Sequence, residues 1–438
     1  MRKNKVDIIT LGCSKNLVDS EQLMYQFKAN GYTVAHDAEK VNGEIVVVNT
    51  CGFIGDAQEE SINMILELEE AKRVGRIGKL FVMGCLSERF MNDLKHEITG
   101  VDRFYGKFNW KNILKDIGKS YYSDPAFDRI LSTPSHYAYL KIAEGCNRKC
   151  SYCSIPVITG KYRSRPIDDI LAETRLLVGK GVKEFQIIAQ DLTYYGYDMY
   201  RRWALPELVE RISDIPGVEW IRLHYGYPTH FPYDLLRVMR ERDNVCKYLD
   251  IALQHISDRM LKKMRRKTTR EATYELIDRI RQEVPDIHLR TTLLVGHPGE
   301  TDDDFDELTA FVEDIRFERL GAFAYSHETG TYSFNHYNND VPEKVKQKRL
   351  DTLMNIQQSI SAEISDEKVG KTMKTIIDRK DGNYYVGRTE FDSPEVDPEV
   401  LIKSDKRLRI GNFYNILIEK ADIFELYGKI CYAKTVVL

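Results

Sequence analysis

Eight cysteines stand in a chain of 438 residues. Three of them crowd into the string Glu144-Gly-Cys-Asn-Arg-Lys-Cys-Ser-Tyr-Cys153, which sets Cys146, Cys150 and Cys153 in a C-x3-C-x2-C pattern. Thiolates this close in sequence converge on a metal or on a small multinuclear group. Zinc takes four ligands, usually from paired knuckles. Here one knuckle carries an extra Cys upstream, with no nearby fourth ligand. A 4Fe–4S cubane is usually held by four thiolates. Three would leave one iron open, and an open position is where a metal site does chemistry.

Three more cysteines follow short apolar, β-branched runs. Val6–Leu11 leads to Cys13, Ile45–Asn49 to Cys51 and Leu80–Met83 to Cys85, each a strand by its composition. Helical stretches separate them, one starting near Asp19–Ser20 and one from about Ala57 to Arg73. Strand–helix alternation implies a parallel sheet with right-handed crossovers. Ligands of such sheets gather outside the carboxyl ends of the strands. The three thiols would therefore meet at one sheet edge as a second three-thiolate site. Three core thiols are the competing reading, since free Cys is among the most buried residue types. Gly12, Gly52 and Gly84 flank these cysteines, as close backbone approach to a bulky ligand requires. Cys246 and Cys431 stand alone and read as plain core thiols.

Stepping along the chain, six further strands are expected at Tyr137–Ala143, Glu184–Gln190, Trp220–Tyr225, Tyr248–Gln254, His288–Val295 and Arg319–Tyr325. Helices fall between them at Ile167–Val178, Pro206–Ser213, Arg270–Glu283 and Asp302–Asp314. Six βα units match an incomplete parallel barrel, short of the full eight. Polar residues follow the strands: Glu144, Gln190-Asp191, His224, Gln254-His255, Gly296 to Glu300 and His327. That edge is the active-site face of a βα barrel. The 26 tyrosines are scattered and suggest no stacking platform.

After a long helix at about Pro342 to Lys368 the pattern turns to alternating strands. These are Lys371–Asp378, Tyr384–Arg388, Asn415–Glu419 and Leu426–Tyr432, with Asp381-Gly and Gly411-Asn as turns. From Glu367 to Leu438 there are 13 Lys and Arg against 12 Asp and Glu, without the basic footprint of an RNA-binding module. The segment Thr389 to Glu399 carries five carboxylates and no base; it would repel phosphates and attract a basic protein. Net charge over the chain is −3, from 64 basic and 67 acidic residues. That balance excludes a chain dominated by nucleic-acid electrostatics. No run approaches the roughly 18 apolar residues of a membrane helix. The basic start, Met1 to Lys5, leads into a strand without the apolar core of a secretory signal. A cytoplasmic protein with no membrane partner is expected.

The tight cysteine string, with Tyr152 before its last Cys, resembles the cluster loop of the radical-SAM enzymes. The strings Thr10-Leu-Gly-Cys-Ser-Lys-Asn-Leu-Val-Asp-Ser-Glu21 and Asn49-Thr-Cys-Gly-Phe-Ile54 resemble the N-terminal domain of the methylthiotransferases within that superfamily. The resemblance covers essentially the whole chain. It implies an α/β protein of three domains. Residues 1–120 would be a parallel α/β sheet domain with an auxiliary cluster. Residues 132–365 would be a partial (β/α)6 TIM-like radical-SAM barrel. Residues 367–438 would be a small all-β, TRAM-like barrel for substrate recognition.

It also implies two 4Fe–4S clusters and S-adenosylmethionine as cofactors. Cys146, Cys150 and Cys153 would hold the cluster that cleaves S-adenosylmethionine, and Cys13, Cys51 and Cys85 the auxiliary cluster. Glu144, Gln190, Arg266, Gly296 and Glu300 are nominated for S-adenosylmethionine. Arg266 suits a carboxylate, though a solvated basic helix end explains it equally well, and Gly296 to Glu300 could be a turn without ligand contact. The triplet Ser14-Lys15-Asn16, the run Gly52-Phe53-Ile54 and the string Gly160-Lys-Tyr-Arg-Ser-Arg-Pro166 are similar to one type within the family. That type methylthiolates the β-carbon of an aspartate in the twelfth small-subunit ribosomal protein. Ser14 departs from its pattern, which more often has Pro. A tRNA adenosine methylthiotransferase is the nearer alternative, and a non-catalytic iron–sulfur protein that binds ribosomes the farther one. A flavodoxin- or ferredoxin-like reductant is implied, and nucleic acid is not the main target. The N-terminal and C-terminal domains are both expected to cover the reacting centre and exclude water.

Overall fold

The computed structural model describes residues 1–123 and 128–431. The N-terminal sheet contains β1 (Arg2–Thr10), β2 (Thr33–His36), β3 (Gly43–Thr50), β4 (Lys79–Gly84) and β5 (Arg103–Phe104). All its pairings are parallel, in the order β2-β1-β3-β4-β5. β3 is its centre, and Val46, Val47 and Val48 are fully buried. Val46 and Val48 face a core with Ile65, Leu68 and Val82, and Val47 faces another with Leu23, Phe27 and Phe81. An unbroken β-branched run is what a strand buried on both faces requires. Each such side chain contributes about 1.5–3 kcal/mol by its removal from water. The sheet has two strands more than the sequence reading found. β2 and β5 are short edge strands, too brief for a periodic signal.

β6 (Tyr137–Lys141) opens the central region. A small antiparallel pair, β7 (Ala143–Glu144) and β8 (Arg163–Ser164), then brackets the tight cysteine loop. β9 (Glu184–Ile188), β10 (Trp220–Gly226), β11 (Val245–Gln254), β12 (His288–Val295) and β13 (Arg319–Ala324) complete six parallel strands in the order β13-β12-β11-β10-β9-β6. Helices at Ile167–Gly179, Leu205–Ser213, Asp234–Glu241, Arg270–Glu283 and Asp302–Ile315 alternate with the strands. Their apolar stripes, such as Leu205, Leu208, Val209 and Ile212, join Phe185, Ile187 and Leu223 in one large core. The helix Asp302–Ile315 starts with a capping box in which Thr301 and Asp304 satisfy each other's backbone N–H groups.

The helix Glu343–Asp366 leads to a closed barrel of β14 (Thr372–Asp381), β15 (Tyr384–Thr389), β16 (Glu399–Lys403), β17 (Phe413–Ala421) and β18 (Glu425–Ile430). β16 is a strand the sequence pattern did not reveal. Tyr432, the expected end of the last strand, lies outside the described residues. Cys246 is buried as expected, but Cys431 is exposed, because it follows the last strand of the barrel.

Two expectations about this last barrel are overturned. Its acidic segment is not offered to a basic partner; it plugs the N-terminal ends of the central strands. Arg319 Nη2 donates to Asp392 at 2.5 Å, and Arg290 Nη1 to Asp397 at 2.6 Å. Tyr248 Oη donates to the other oxygen of Asp397 at 2.8 Å, and His288 stacks on Phe391 at 4.0 Å. Arg388 bridges Glu184 at 2.7 Å and Asp378 at 2.6 Å. The barrel interior is arginine-rich at this end, and the carboxylates neutralise it. The small barrel therefore covers the end opposite the cysteine loop, and only the N-terminal domain sits over that loop.

Candidate active site between two thiol triads

Cys13, Cys51 and Cys85 follow β1, β3 and β4, which are immediate neighbours in the sheet. Strand spacing of about 4.8 Å then brings the three loops side by side. Two glycines allow the approach. A Cβ on Gly12 (φ +89°) would lie 2.9 Å from Cys51 Sγ, and one on Gly84 (φ +105°) would lie 2.6 Å from the Thr50 carbonyl oxygen. The glycines thus serve the packing of the loops against one another. Asn16 ties the loops together. Its Nδ2 donates to the Leu11 and Thr50 carbonyls at 3.0 and 3.1 Å, and its Oδ1 accepts from Cys85 Sγ at 3.6 Å and Lys107 Nζ at 3.4 Å.

The second triad is held by β7, β8 and the loops facing them. Gly145 (φ +87°) leaves no room for a Cβ, which would strike the Lys161 carbonyl. Ser151 donates its N–H to the Met264 carbonyl at 2.9 Å and accepts from Ser333 N–H at 2.7 Å. Arg266 is buried and points Nη1 at Cys150 Sγ, 3.2 Å away, while its guanidinium lies 4.1 Å from the Tyr227 ring. Its Nε has no hydrogen-bond partner. Glu144 lies between the triads, 3.1 Å from Lys141 and 3.7 Å from Lys107, and accepts from Gln190 Nε2. Gln190 Oε1 is buried and unpartnered. Ser154, next to Cys153, donates to the Phe53 carbonyl, two residues past Cys51, at 2.9 Å. Arg89 adds a second tie, donating to the Gly52 carbonyl and to Glu328, both at 2.9 Å.

The thiols carry the mark of convergence. Burial raises Cys51 and Cys85, the latter to about 12; Cys13 adds to the first shift, and Cys13 and Cys51 to the second. Burial likewise pushes Cys146 up to about 12 and Cys153 higher, with repulsion from Cys150 contributing to both. Cys13 is the exception. Burial works against its thiolate, but Lys15, Lys107 and the backbone N–H groups of Asn16 and Lys15 hold it below the ordinary thiol range. Burial opposes the charge of Glu144 too, yet Lys141, Lys107 and Gln190 hold its carboxyl down at about 2. Among the described residues no three His, Cys, Asp or Glu side chains are placed to hold a single metal ion. Donor sets of three soft thiolates that repel one another, set wider than one ion, fit a cationic group of several metal atoms.

Glu300 and Gly296 are near neighbours in one loop. Glu300 accepts from Gly296 N–H, stands 3.3 Å from Arg349 and contacts His255 at 3.3 Å. Through the Gly296 N–H its carboxylate braces that turn. His297 Nε2 lies 3.0 Å from both Ser151 and Ser333 Oγ, linking that turn to the cysteine loop. Reading the sequence missed Asn16 as the common tie and Lys107 as the cation between the triads. Lys107 lies in an irregular loop with no periodicity to mark it.

Comparison with known proteins agrees with this architecture. Residues 140–312 match the radical SAM superfamily, 5–106 match a family described as the uncharacterized protein family UPF0004, and 369–431 match the TRAM domain. The chain is 71% identical over 430 residues to the ribosomal protein uS12 methylthiotransferase RimO of Parabacteroides distasonis, covering 98% of this chain and 100% of that one. It is 50% identical to the protein of the same name from Cytophaga hutchinsonii, covering 98% of each. Among solved structures, the radical S-adenosylmethionine methyltransferase TsrM of Kitasatospora setae aligns with a TM-score of 0.53 at 14% identity, covering 86% of this chain and 79% of that one. That likeness is one of fold.

Proposed function

The chain belongs to the ribosomal protein uS12 methylthiotransferases, and from that premise we propose how its own residues divide the work. It is a radical-SAM enzyme that methylthiolates uS12, and its cofactors are 4Fe–4S clusters and S-adenosylmethionine. When bound, these groups supply a carbon-centred radical that takes hydrogen from an aspartate β-carbon, and the sulfur and methyl group that replace it.

Cys146, Cys150 and Cys153 hold one cluster, and Cys13, Cys51 and Cys85 the other. The observation that carries this assignment is that the two triads face each other, joined by Ser154 to Phe53 and by Glu144 to Lys107. Arg266 and Gln190 offer unsatisfied polar atoms beside the second triad, suited to the carboxylate and hydroxyls of S-adenosylmethionine. Glu144 stays ionised there and accepts hydrogen bonds from an ammonium or ribose. Gly296 shapes the wall, and Glu300 acts through it as a positioning residue. The N-terminal domain covers the mouth and excludes water from the reacting centre.

We assign these tasks to residues 1–120, 132–365 and 367–438 as three units. Recognition of uS12 by the last unit uses the faces left outside its plug. A flavodoxin- or ferredoxin-like protein is the electron donor. No helix among the described residues is long and apolar enough to cross a membrane. Anaerobic turnover with reductant and S-adenosylmethionine, offering uS12 or unmodified tRNA, tests the whole reading. Mass spectrometry should find a methylthio group on the protein. A gain on tRNA alone would overturn the substrate.

A further inference from the structure

Three ammonium groups meet where the N-terminal domain closes over the barrel mouth, and two of them share two carboxylates. Lys107 pairs with Asp19 at 3.2 Å and with Glu144 at 3.7 Å. Lys141 pairs with the same two, at 2.5 Å and 3.1 Å. Lys15 pairs with neither. It is only 7% exposed, yet among the described residues its Nζ has no carboxylate within ion-pair distance and no hydrogen bond. It stands over the face of Tyr225, 3.7 Å from the ring centroid. A cation over an aromatic face is partly compensated, but a largely buried lysine with no carboxylate partner is unusual.

The surroundings place this charge at the reacting centre. Lys15 lies two residues past Cys13, in the first turn of the helix Ser14–Ala29. Its charged neighbours are Cys13, Glu144 and Lys107. His224 and Asp250 of the barrel mouth also feel its charge. Tyr225 ends β10 in a left-handed conformation, φ +67°, which a non-glycine residue adopts only under constraint. Asp250 imposes it by accepting Tyr225 N–H at 3.1 Å. The ring beneath Lys15 is therefore held in place, and the ammonium stands over a fixed platform between the two thiol triads.

We propose that Lys15 is a substrate-binding residue: its ammonium takes the side-chain carboxylate of the acceptor aspartate. This rests on the function proposed above and deepens it. The γ-carboxylate is bonded directly to the β-carbon that reacts, so anchoring one fixes the other. Of the three ammonium groups, Lys15 Nζ is the one with no carboxylate in ion-pair range among the described residues, and it can take a monoanion. A neutral adenine ring offers that charge nothing. Lys15 would thus also select a protein aspartate over a nucleobase.

The test measures binding of two peptides that span the uS12 acceptor site, one with Asp and one with Asn, to cluster-loaded protein. Wild type should prefer Asp by at least about tenfold, the scale of a charged hydrogen bond. Lys15→Met should bind both peptides within about twofold of each other, and Lys15→Arg should keep part of the preference. Iron content is measured for both variants, so that binding is compared between proteins of equal cluster loading. An undiminished Asp preference in Lys15→Met overturns the proposal. So does loss of about half the iron from both variants, because the ammonium would then serve the cluster. Wild-type turnover on uS12 separates the two claims: if uS12 is modified while the preference persists in Lys15→Met, only the role of Lys15 fails; if wild type modifies tRNA alone, the substrate reading itself fails.

Discussion

At the N-terminal ends of the barrel strands, Glu184, Arg222 and Arg319 are buried and Arg290 is half-buried, and each meets an opposite charge. Their partners include Arg388, Asp392 and Asp397 of the small barrel. At the C-terminal ends, by contrast, the thiol triads converge, and among the described residues Arg266 Nε and Gln190 Oε1 lack a hydrogen-bond partner there. Orphaned atoms occur at the plugged end too, at Arg319 Nε, His288 Nε2 and Lys368 Nζ, but there the charged groups already meet carboxylates of the small barrel. One end joins domains through paired charges, and the other gathers the thiols under the N-terminal domain with polar atoms to spare.

Substitutions at the two ends should therefore separate activity from stability. Cys150→Ala should abolish 5′-deoxyadenosine formation and remove about half of the iron, with thermal unfolding of the cluster-free protein little changed. Cys51→Ala should also lose about half of the iron but still cleave S-adenosylmethionine, without methylthio transfer to uS12. Full transfer by that variant would break the assignment of the N-terminal triad. At the plugged end, Asp392→Asn takes from buried Arg319 its nearer anion and leaves only Asp397, 3.7 Å away. It should lower stability by about 3–5 kcal/mol in denaturant titration, with 5′-deoxyadenosine formation per folded molecule preserved.

The smallest effect is on acid stability. Asp378, Glu184 and Asp392 all work against burial, and all are held below their ordinary values by the facing cations: Arg388 with His136, Arg388 with Arg222, and Lys368 with Arg319. A carboxyl depressed in the folded state stabilises it above its unfolded value, and the gain is lost as pH falls through the folded one. The melting temperature of the cluster-free protein should be flat above about pH 5 and fall below about pH 4. Asp392→Asn should flatten part of that fall. An unchanged profile would show that the plug is not held by these charges.

The six barrel strands, the three cysteine-bearing strands of the N-terminal sheet and most helices were legible from periodicity, because each is long and its burial regular. β2, β5 and β16 were not. The first two are short edges, and β16 directly follows an acidic segment that reads as a loop. The tyrosines that looked scattered do assemble: Tyr162, Tyr194, Tyr197 and Trp203 form a chain of ring contacts 4.7 to 5.4 Å apart. Only folding brings them together.

By itself the sequence nominated the donor atoms: the tight C-x3-C-x2-C string gave one three-thiolate site as an expectation, and three cysteines after parallel strands gave a second, with three core thiols as its competing reading in the absence of the family strings. The family strings likewise sufficed for the reaction. Tertiary structure alone decided which charges are spent. Five carboxylates between Thr389 and Glu399 look available in one dimension, yet Asp392 and Asp397 find arginines 73 and 107 residues away. Lys15, Lys107 and Lys141 look alike in sequence, and only their places around Asp19 and Glu144 distinguish Lys15, which forms an ion pair with neither. Pairing of buried charges depends on contacts between distant segments, and no local pattern encodes it.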